Sequence, residues 1–279
     1  DKNGEYIDSL ASLGFGFLEL GTVTPLSQKG NSKPRVFRLP KDNAIINRLG
    51  FNNKGVKNLV LNIQSSKFFQ NREGILGVNI GKNADTPFEK AEEDYVFCLR
   101  KIYPFADYIT INISSPNTKN LRQLQNSLRL NNFLMILKNE QKILSDKFKK
   151  YVPLALKLSP DLDNEEIKMI AKVVIKNKID SIIVSNTTIK REMIYKNFYS
   201  NQVGGLSGEP LFKISNNVIK KFFNELGNEI PIIGVGGIMN GNDAKLKINC
   251  GASLVQIYTG LIYKGPSIVR ECILDLEKK

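Results

Sequence analysis

Short apolar runs rich in β-branched residues alternate along the chain with longer stretches of helical period. Seven of these runs are typical of buried strands: Phe15–Gly21, Leu76–Ile80, Tyr108–Ile113, Leu154–Leu158, Ser181–Val184, Ile232–Val235 and Ser253–Tyr258. Because strands that alternate with helices form βαβ units, the pattern predicts a parallel sheet covered by helices.

The helices are predicted from their starts and their apolar stripes. The run Thr86-Pro87-Phe88-Glu89 has the residues of a capping box, with Pro at the first helical position, and predicts a helix over Glu89–Tyr103. Asp163 and Glu166 form a similar pair before an i, i+3, i+4, i+7 stripe that begins at Ile167. Shorter helices are predicted over Glu5–Leu13, Phe212–Leu226, Asp243–Asn249 and Ser267–Leu276.

The number of strands suggests the fold class. Seven strands that each precede a helix are one fewer than a (β/α)8 barrel contains, and the chain opens at Asp1 without Met. We therefore expect one α/β domain over residues 1–279, a (β/α)8 TIM barrel whose first strand and N-terminal helical segment precede Asp1. The segment from Thr22 to Asn53 is too rich in Pro and Gly for a helix, and we predict a loop with short antiparallel strands there.

Composition removes several kinds of chemistry. The chain contains no histidine, which excludes a Ser-His-Asp triad, an imidazole base and a His-built zinc site. Its three cysteines are far apart, so we expect core residues and no metal site. The formal net charge is +13, but the basic residues are scattered along the chain, and we predict no nucleic-acid partner.

Polar side chains recur where the predicted strands end, the edge at which a barrel builds its active site. The set is rich in amides and hydroxyls and almost free of carboxylates: Thr22, Asn79, Asn112, Ser114, Ser115, Asn117, Lys157, Ser185, Asn186, Thr187, Gly236, Gly237, Tyr258 and Thr259. A primary amide offers a donor and an acceptor together, which complements the edge of a cyclic imide or pyrimidine. Asparagine is also a common turn former, but its recurrence at four equivalent positions favours binding.

Two further features point to an anionic ligand. The glycine-rich segments 232–238 and 251–260 cover the last two strands and their loops, where barrels commonly bind a phosphate; the alternative is two tight turns. Lys157 ends a strand as an isolated cation among apolar residues, a place where an ammonium stabilises negative charge on a ligand. The alternative for Lys157 is a lysine that reaches the surface.

With these residues, the chain resembles the dihydroorotate dehydrogenases, and among them the class 2, quinone-dependent branch. The motifs that carry the resemblance follow in order: Glu19–Pro25, Lys33–Arg38, Asn47–Asn53, Asn79–Asn83, Asn112–Thr118, Ser185–Thr188 and Gly204–Gly208. The resemblance implies an FMN enzyme of de novo pyrimidine synthesis that oxidises (S)-dihydroorotate to orotate and passes the electrons to a quinone. Ser115 would be the general base at C5 while hydride moves from C6 to flavin N5, its deprotonation aided by a relay through the Thr118 hydroxyl or a water.

The resemblance also implies binding roles. The substrate would be held by Lys2, Asn47, Arg48, Gly50, Phe51, Asn112, Asn117, Asn186 and Thr187. FMN would be held by Lys2, Thr22, Asn79, Asn112, Lys157, Ser185, Gly208, Gly236, Gly237, Tyr258 and Thr259, with Lys157 also acting on the flavin during catalysis. Arg38 and Tyr258 would line the quinone tunnel.

In this family N-terminal helices rest on the membrane, which implies a peripheral protein on the cytoplasmic face of the cell membrane, attached through a segment that precedes Asp1. Three other functions stay open. A tRNA-dihydrouridine synthase would need a cysteine acid at a strand end, and a class 1 fumarate- or NAD-linked dihydroorotate dehydrogenase would carry Cys in place of Ser115. A catalytically silent binding barrel would hold no flavin that dihydroorotate can bleach.

Overall fold

The computed structural model describes residues 1–278, and this part of the chain contains ten strands and ten α-helices. The strands are β1 (Phe17–Val23), β2 (Val36–Leu39), β3 (Ala44–Asn47), β4 (Ile75–Ile80), β5 (Tyr108–Asn112), β6 (Leu154–Leu158), β7 (Ser181–Val184), β8 (Gly205–Gly208), β9 (Ile232–Val235) and β10 (Leu254–Gln256). The helices are α1 (Ile7–Ala11), α2 (Val56–Ser65), α3 (Lys67–Gln70), α4 (Ala91–Ile102), α5 (Ser127–Phe148), α6 (Asn164–Lys176), α7 (Phe212–Leu226), α8 (Gly241–Asn249), α9 (Thr259–Lys264) and α10 (Ser267–Glu277).

Seven strands form one parallel sheet in the order β1-β4-β5-β6-β7-β9-β10, so that β1 and β10 are its two edges. The sheet curls, because the side chains of Gln256 on β10 and Glu19 on β1 meet at 2.9 Å. The predicted α/β class with a parallel sheet and helices is confirmed.

Alternation along the strands separates two apolar layers. Leu154, Leu156 and Leu158 of β6 point outward into the large core shared with the helices. Ala155 points inward and packs with Ile183 and other residues of the neighbouring strands in a small inner cluster. Lys157, two residues after Ala155, therefore lies on the inner face of the curled sheet.

The segment between β1 and α2 contains the predicted antiparallel strands, β2 and β3. Strand β8 completes this small sheet by pairing with β3, and Phe37, Ile46 and Leu206 form its own core. The prediction misses β8, because two of its four residues are glycines and its pairing partner lies about 160 residues earlier in the chain. This small sheet brings Asn47 and Gly208 to the carboxyl ends of the main strands.

The predicted capping boxes have different outcomes. The box at Asp163 and Glu166 is confirmed, because each side chain accepts a hydrogen bond from the other's backbone N–H at 2.8 Å. The box at Thr86 and Glu89 is wrong: α4 begins at Ala91 after a 3₁₀ turn, and no side chain caps it.

The prediction also omits α2 and α5, although Leu130, Phe133, Leu134 and Leu137 on α5 form a buried stripe of helical spacing. Among residues 1–278, no helix combines the length and the apolarity that crossing a bilayer requires. All three cysteines are buried free thiols, in agreement with the prediction that they fill the core.

Candidate active site at the carboxyl ends of the strands

Amide and hydroxyl side chains from three adjacent strands form a continuous hydrogen-bonded chain. The Thr22 hydroxyl donates to Asn79 Oδ1 at 2.6 Å and accepts from Asn112 Nδ2 at 2.9 Å. Asn186, just beyond β7, donates to Asn112 Oδ1 at 3.3 Å and to Ser114 Oγ at 3.0 Å. The structure thus brings together polar residues that the sequence places at the ends of β1, β4, β5 and β7.

The loop after β5 places Ser115 beside this chain of amides. The Ser115 side chain is only 6% exposed, and its Oγ accepts a hydrogen bond from the Asn117 backbone N–H at 3.2 Å. The Asn117 amide donates to the Asn47 backbone oxygen at 3.0 Å, so that this loop and the small sheet approach each other. Within residues 1–278 no hydrogen bond joins Ser115 to Thr118.

Arg122 is a residue of the site that the sequence analysis does not identify. Its guanidinium donates to the backbone oxygens of Ser114 at 3.0 Å and Thr187 at 2.9 Å. It also forms an ion pair with Asp161 at 2.8 Å. Arg122 therefore ties the loops after β5, β6 and β7 together, and a single arginine in a loop carries no sequence signal for such a role.

Lys157 is not a surface lysine, and it faces a carboxylate that the sequence analysis also misses. The Lys157 ammonium lies 3.4 Å from Glu19 Oε1, and the two side chains are only 16% and 13% exposed. The expectation of a site almost free of carboxylates is incomplete in this respect, because Glu19 stands on the inner face of the curled sheet directly below the ring of amides.

The glycine segments form tight turns beyond β9 and β10. Gly236 and Gly237 have φ angles of 116° and 79°, and their loop lies against the start of α7. Thr259 is buried at the start of α9 and donates to Ser207 Oγ of β8 at 2.9 Å. Gly208, at the end of β8, also has positive φ, and Tyr258 is 62% exposed. Backbone N–H groups and hydroxyls of three segments thus converge at this end of the molecule.

A buried lysine lies beneath the Gly236 turn. Lys247 is fully buried, and its ammonium donates to Ser215 Oγ at 2.8 Å and Asn216 Oδ1 at 2.7 Å. Ser215 in turn donates to the Gly236 carbonyl at 3.0 Å. Burial lowers the pKa of Lys247 to about 7, while Cys250 and Asp243 act weakly in the opposite direction.

The lowered pKa predicts a pH-dependent stability. Between about pH 7 and pH 10 the unfolded chain keeps the Lys247 proton and the native chain loses it, so Lys247 should contribute a rise in the free energy of unfolding of up to about 1.4 kcal/mol per pH unit. In Lys247→Met this rise should be smaller. Urea unfolding at the two ends of the range measures it, with Lys245→Met on the same helix as the control. Equal slopes in the wild type and Lys247→Met would contradict this account.

Lys2 provides a second ammonium near the amides. The Gly21 N–H donates to the Asp1 carbonyl at 2.9 Å, which places Lys2 beside the end of β1. Burial, with a smaller contribution from Arg35, lowers the pKa of Lys2 to about 8. A partly desolvated ammonium next to another cation favours an anionic ligand.

The structure also describes the surroundings of three further predicted residues, Phe51, Gly50 and Ser185. Phe51 is buried with φ 54°, and its ring lies close to Gly81, next to Thr22. Gly50 has φ 69° in the same turn, and the Ser185 hydroxyl donates to the Asn186 backbone oxygen at 3.0 Å.

Two arginines predicted from the sequence, Arg48 and Arg38, lie apart from the hydrogen-bonded chain of amides. The Arg48 guanidinium donates to Gln202 at 3.0 Å and to the Val203 backbone oxygen at 3.1 Å, and it stacks on Phe37, so it holds the loop before β8 instead of facing the amides. Arg38 lies on the exposed face of β2, and within residues 1–278 no hydrogen bond joins it to the site.

Comparisons with known proteins identify relatives of this chain. The family described as "Dihydroorotate dehydrogenase" matches residues 1–279. The dihydroorotate dehydrogenase (quinone) of Janthinobacterium sp. (strain Marseille) is 59% identical over 276 residues, which cover 99% of this chain and 80% of that protein. The protein of the same name from Burkholderia ambifaria is 56% identical over 279 residues, 100% of this chain and 80% of that one.

Solved structures show the same fold. The crystal structure of DHODH from Eimeria tenella in complex with ferulenol matches with a TM-score of 0.93 at 40% identity, covering 99% of this chain and 78% of that chain. The ligand-free type from the same organism matches with a TM-score of 0.92 at 39% identity, covering 99% of this chain and 80% of that chain.

Proposed function

This chain belongs to the dihydroorotate dehydrogenase family, and on that premise we propose that it oxidises (S)-dihydroorotate to orotate in pyrimidine synthesis and passes the electrons to a quinone. The observation that carries the proposal is the similarity, over 99–100% of this chain, to relatives named dihydroorotate dehydrogenase (quinone). The protein is accordingly an oxidoreductase with a curled α/β barrel sheet. We propose that residues 1–279 form one cofactor-binding domain.

The family is flavin-dependent, and we infer that the flavin of this protein is FMN. A bound flavin supplies a hydride acceptor that can later release electrons one or two at a time. The residues fit such a group: the Gly236–Gly237 turn and Thr259 offer N–H and hydroxyl donors for its phosphate. Thr22, Asn79, Asn112, Ser185, Gly208 and Tyr258 would line the ring and ribityl chain, and Lys157 would face the edge of the ring that becomes anionic on reduction.

The substrate is a small cyclic ureide that carries a carboxylate. The amides of Asn112, Asn117 and Asn186 offer the paired donors and acceptors that such a ring requires, and Asn47 closes the group from the small sheet. The buried Thr187 Oγ1 has no hydrogen-bond partner among residues 1–278, as expected for an atom that awaits a ligand. Lys2 would bind the substrate carboxylate, with Gly50 and Phe51 against the ring.

Ser115 would remove the proton from C5 of the substrate while its own hydroxyl proton passes through a water to solvent, so that the side chain is again a neutral hydroxyl after the step. A serine hydroxyl is a weak base, so the site must stabilise the oxygen as it loses its proton. The Asn117 N–H that donates to Ser115 Oγ would do this directly, and only 6% of the residue is exposed. Arg122 would hold the Ser115 loop in register through the Ser114 carbonyl.

We further propose that the protein works as a peripheral protein on the cytoplasmic face of the cell membrane, because quinone acceptors are dissolved in the bilayer. Arg38 and Tyr258 would lie along the quinone's approach, and the 62% exposure of Tyr258 is compatible with that place. The scattered basic residues would attract anionic ligands and lipid, and we propose no nucleic-acid partner.

Anaerobic mixing of the flavin-loaded protein with dihydroorotate tests the proposed function. The visible flavin absorbance should bleach, and addition of a quinone should restore it, whereas fumarate and NAD should not. Bleaching reversed by fumarate or NAD would identify a class 1 activity instead. A flavin that dihydroorotate does not bleach would contradict the proposed function altogether.

A further inference from the structure

Glu19 is the point at which five strands of the curled sheet meet through their side chains. It lies on β1 and accepts hydrogen bonds from Asn79 on β4 at 2.8 Å, and from Tyr108 and Thr110 on β5 at 3.1 and 2.8 Å. Gln256 on β10 donates to it at 2.9 Å. Lys157 on β6 completes the set at 3.4 Å. Each oxygen of this carboxylate therefore has at least two donors within 3.4 Å.

The surroundings of Glu19 keep it ionised. Burial acts to raise the pKa of the Glu19 carboxyl, but the Lys157 ammonium and the donors of Asn79, Gln256 and Thr110 outweigh it and hold the pKa below its ordinary value. The site thus contains a fixed negative charge within 3.4 Å of its one inner-face lysine among residues 1–278.

The ion pair with Glu19 leaves most of the hydrogen-bond donors of Lys157 available to a ligand. An ammonium has three donors, and the described residues use one of them, at 3.4 Å, beyond the usual range for a strong hydrogen bond. Lys157 is the residue before the last one of β6, and its remaining donors are therefore close to the carboxyl ends of the strands, where the flavin would lie. The charge that a ligand meets there is accordingly that of an ion pair and not of a free lysine.

We propose that Glu19 is a positioning residue that holds Lys157 and Asn79 under the flavin and, by partly cancelling the charge of Lys157, sets the reduction potential of the bound flavin. This inference rests on the proposed function, because it needs a flavin above Lys157. Fixed charges act strongly in a desolvated site, and an uncancelled ammonium would favour the electron-rich reduced flavin. Partial cancellation of the Lys157 charge keeps the reduced flavin able to transfer its electrons to an acceptor.

The test is the midpoint potential of the flavin in Glu19→Gln, measured by anaerobic equilibration with a redox dye and a chemical reductant. The reduced state should become favoured by at least about tenfold, which is about 30 mV for a two-electron couple. Glu19→Asp keeps the charge and should retain a potential close to that of the wild type. Tyr108→Phe is the matched control, because it removes one hydrogen bond to the same carboxylate without changing any charge.

An unchanged potential in folded, flavin-loaded Glu19→Gln would overturn the proposal, and so would an equal shift in Tyr108→Phe. If Glu19→Gln does not fold, the same substitution in a Lys157→Gln background removes both charges together. The double variant should then have a flavin at least about tenfold easier to reduce than Lys157→Gln alone, because only the single variant keeps an uncancelled carboxylate. Equal potentials in these two variants would also overturn it.

The measurement uses no dihydroorotate, so its outcome is independent of the proposed substrate. A wild-type flavin that the dye couple reduces but dihydroorotate does not would contradict the proposed function and leave the Glu19 result standing. A shift in potential is also a readout that loss of packing alone would not produce in the direction expected here.

Discussion

Ser115→Ala is expected to slow flavin reduction by dihydroorotate by about 10²–10⁴-fold, the usual contribution of a positioned general base. The substitution removes the only atom that accepts from the Asn117 N–H in this loop and leaves C5 of the substrate without a proton acceptor. Reoxidation of the flavin by quinone does not involve this proton and should change little. Anaerobic stopped-flow measurement of the two half-reactions separates the effects.

Two further substitutions test whether the effect of Ser115→Ala comes from loss of the base. Ser115→Cys supplies a thiol with an unperturbed pKa near 8.5, so part of the rate should return and its pH profile should follow thiol ionisation. Thr118→Val should have little effect, because no hydrogen bond within residues 1–278 connects Thr118 to Ser115. An equal loss in both half-reactions of Ser115→Ala would assign Ser115 a structural role instead.

Gly237→Ala should weaken FMN binding by about 10–10²-fold, equivalent to one hydrogen bond to a charged group, about 1.5–3 kcal/mol. Gly237 has φ 79°, and a Cβ there would lie 2.5 Å from the Cα of Phe212 and 2.6 Å from its backbone nitrogen. Backbone atoms cannot move aside as a flexible side chain can, so the turn must move away from α7. Its N–H groups would then no longer point towards the FMN phosphate. Titration of the apoprotein with FMN measures the loss.

Gly227→Ala is the matched control for this prediction. Gly227 also has positive φ, 56°, at the opposite end of α7, but a Cβ there would meet nothing within 4 Å. It should therefore carry only the backbone cost of a positive φ for a non-glycine residue, about 1–3 kcal/mol in unfolding, and bind FMN normally. Equal FMN affinities in Gly237→Ala and Gly227→Ala would show that the Gly237 turn does not hold the cofactor.

Much of the fold could be predicted because its signals are local. The strands β6, β7 and β9 and the helix α7 begin and end at the predicted residues, since alternation and helical period are properties of a few neighbouring side chains. The capping box of α6 is equally local. The prediction fails at β8, whose four residues form a strand only because β3 lies beside them.

The residues of the candidate site also differ in whether the sequence alone could place them. Asn79, Asn112 and Lys157 could be placed from the sequence, because parallel strands bring their carboxyl ends to one edge whatever the rest of the chain does. Arg122 could not, because its partners Ser114 and Thr187 belong to loops that meet only in the folded molecule. Arg48 stays a predicted substrate residue, and its guanidinium binds Gln202 in the loop before β8, a contact that its sequence neighbours do not reveal.

The sequence by itself determined the order of the seven strands of the main sheet, the amides at their carboxyl ends, the hydroxyl at Ser115 and the absence of any imidazole. Only the tertiary structure shows that the Glu19 carboxylate lies beneath these amides. Glu19 and Gln256 are 237 positions apart and touch only because the sheet curls until its two edges face each other. Contacts that depend on the closure of a sheet leave no periodic trace in the chain, which is why Glu19 becomes visible only in the folded protein.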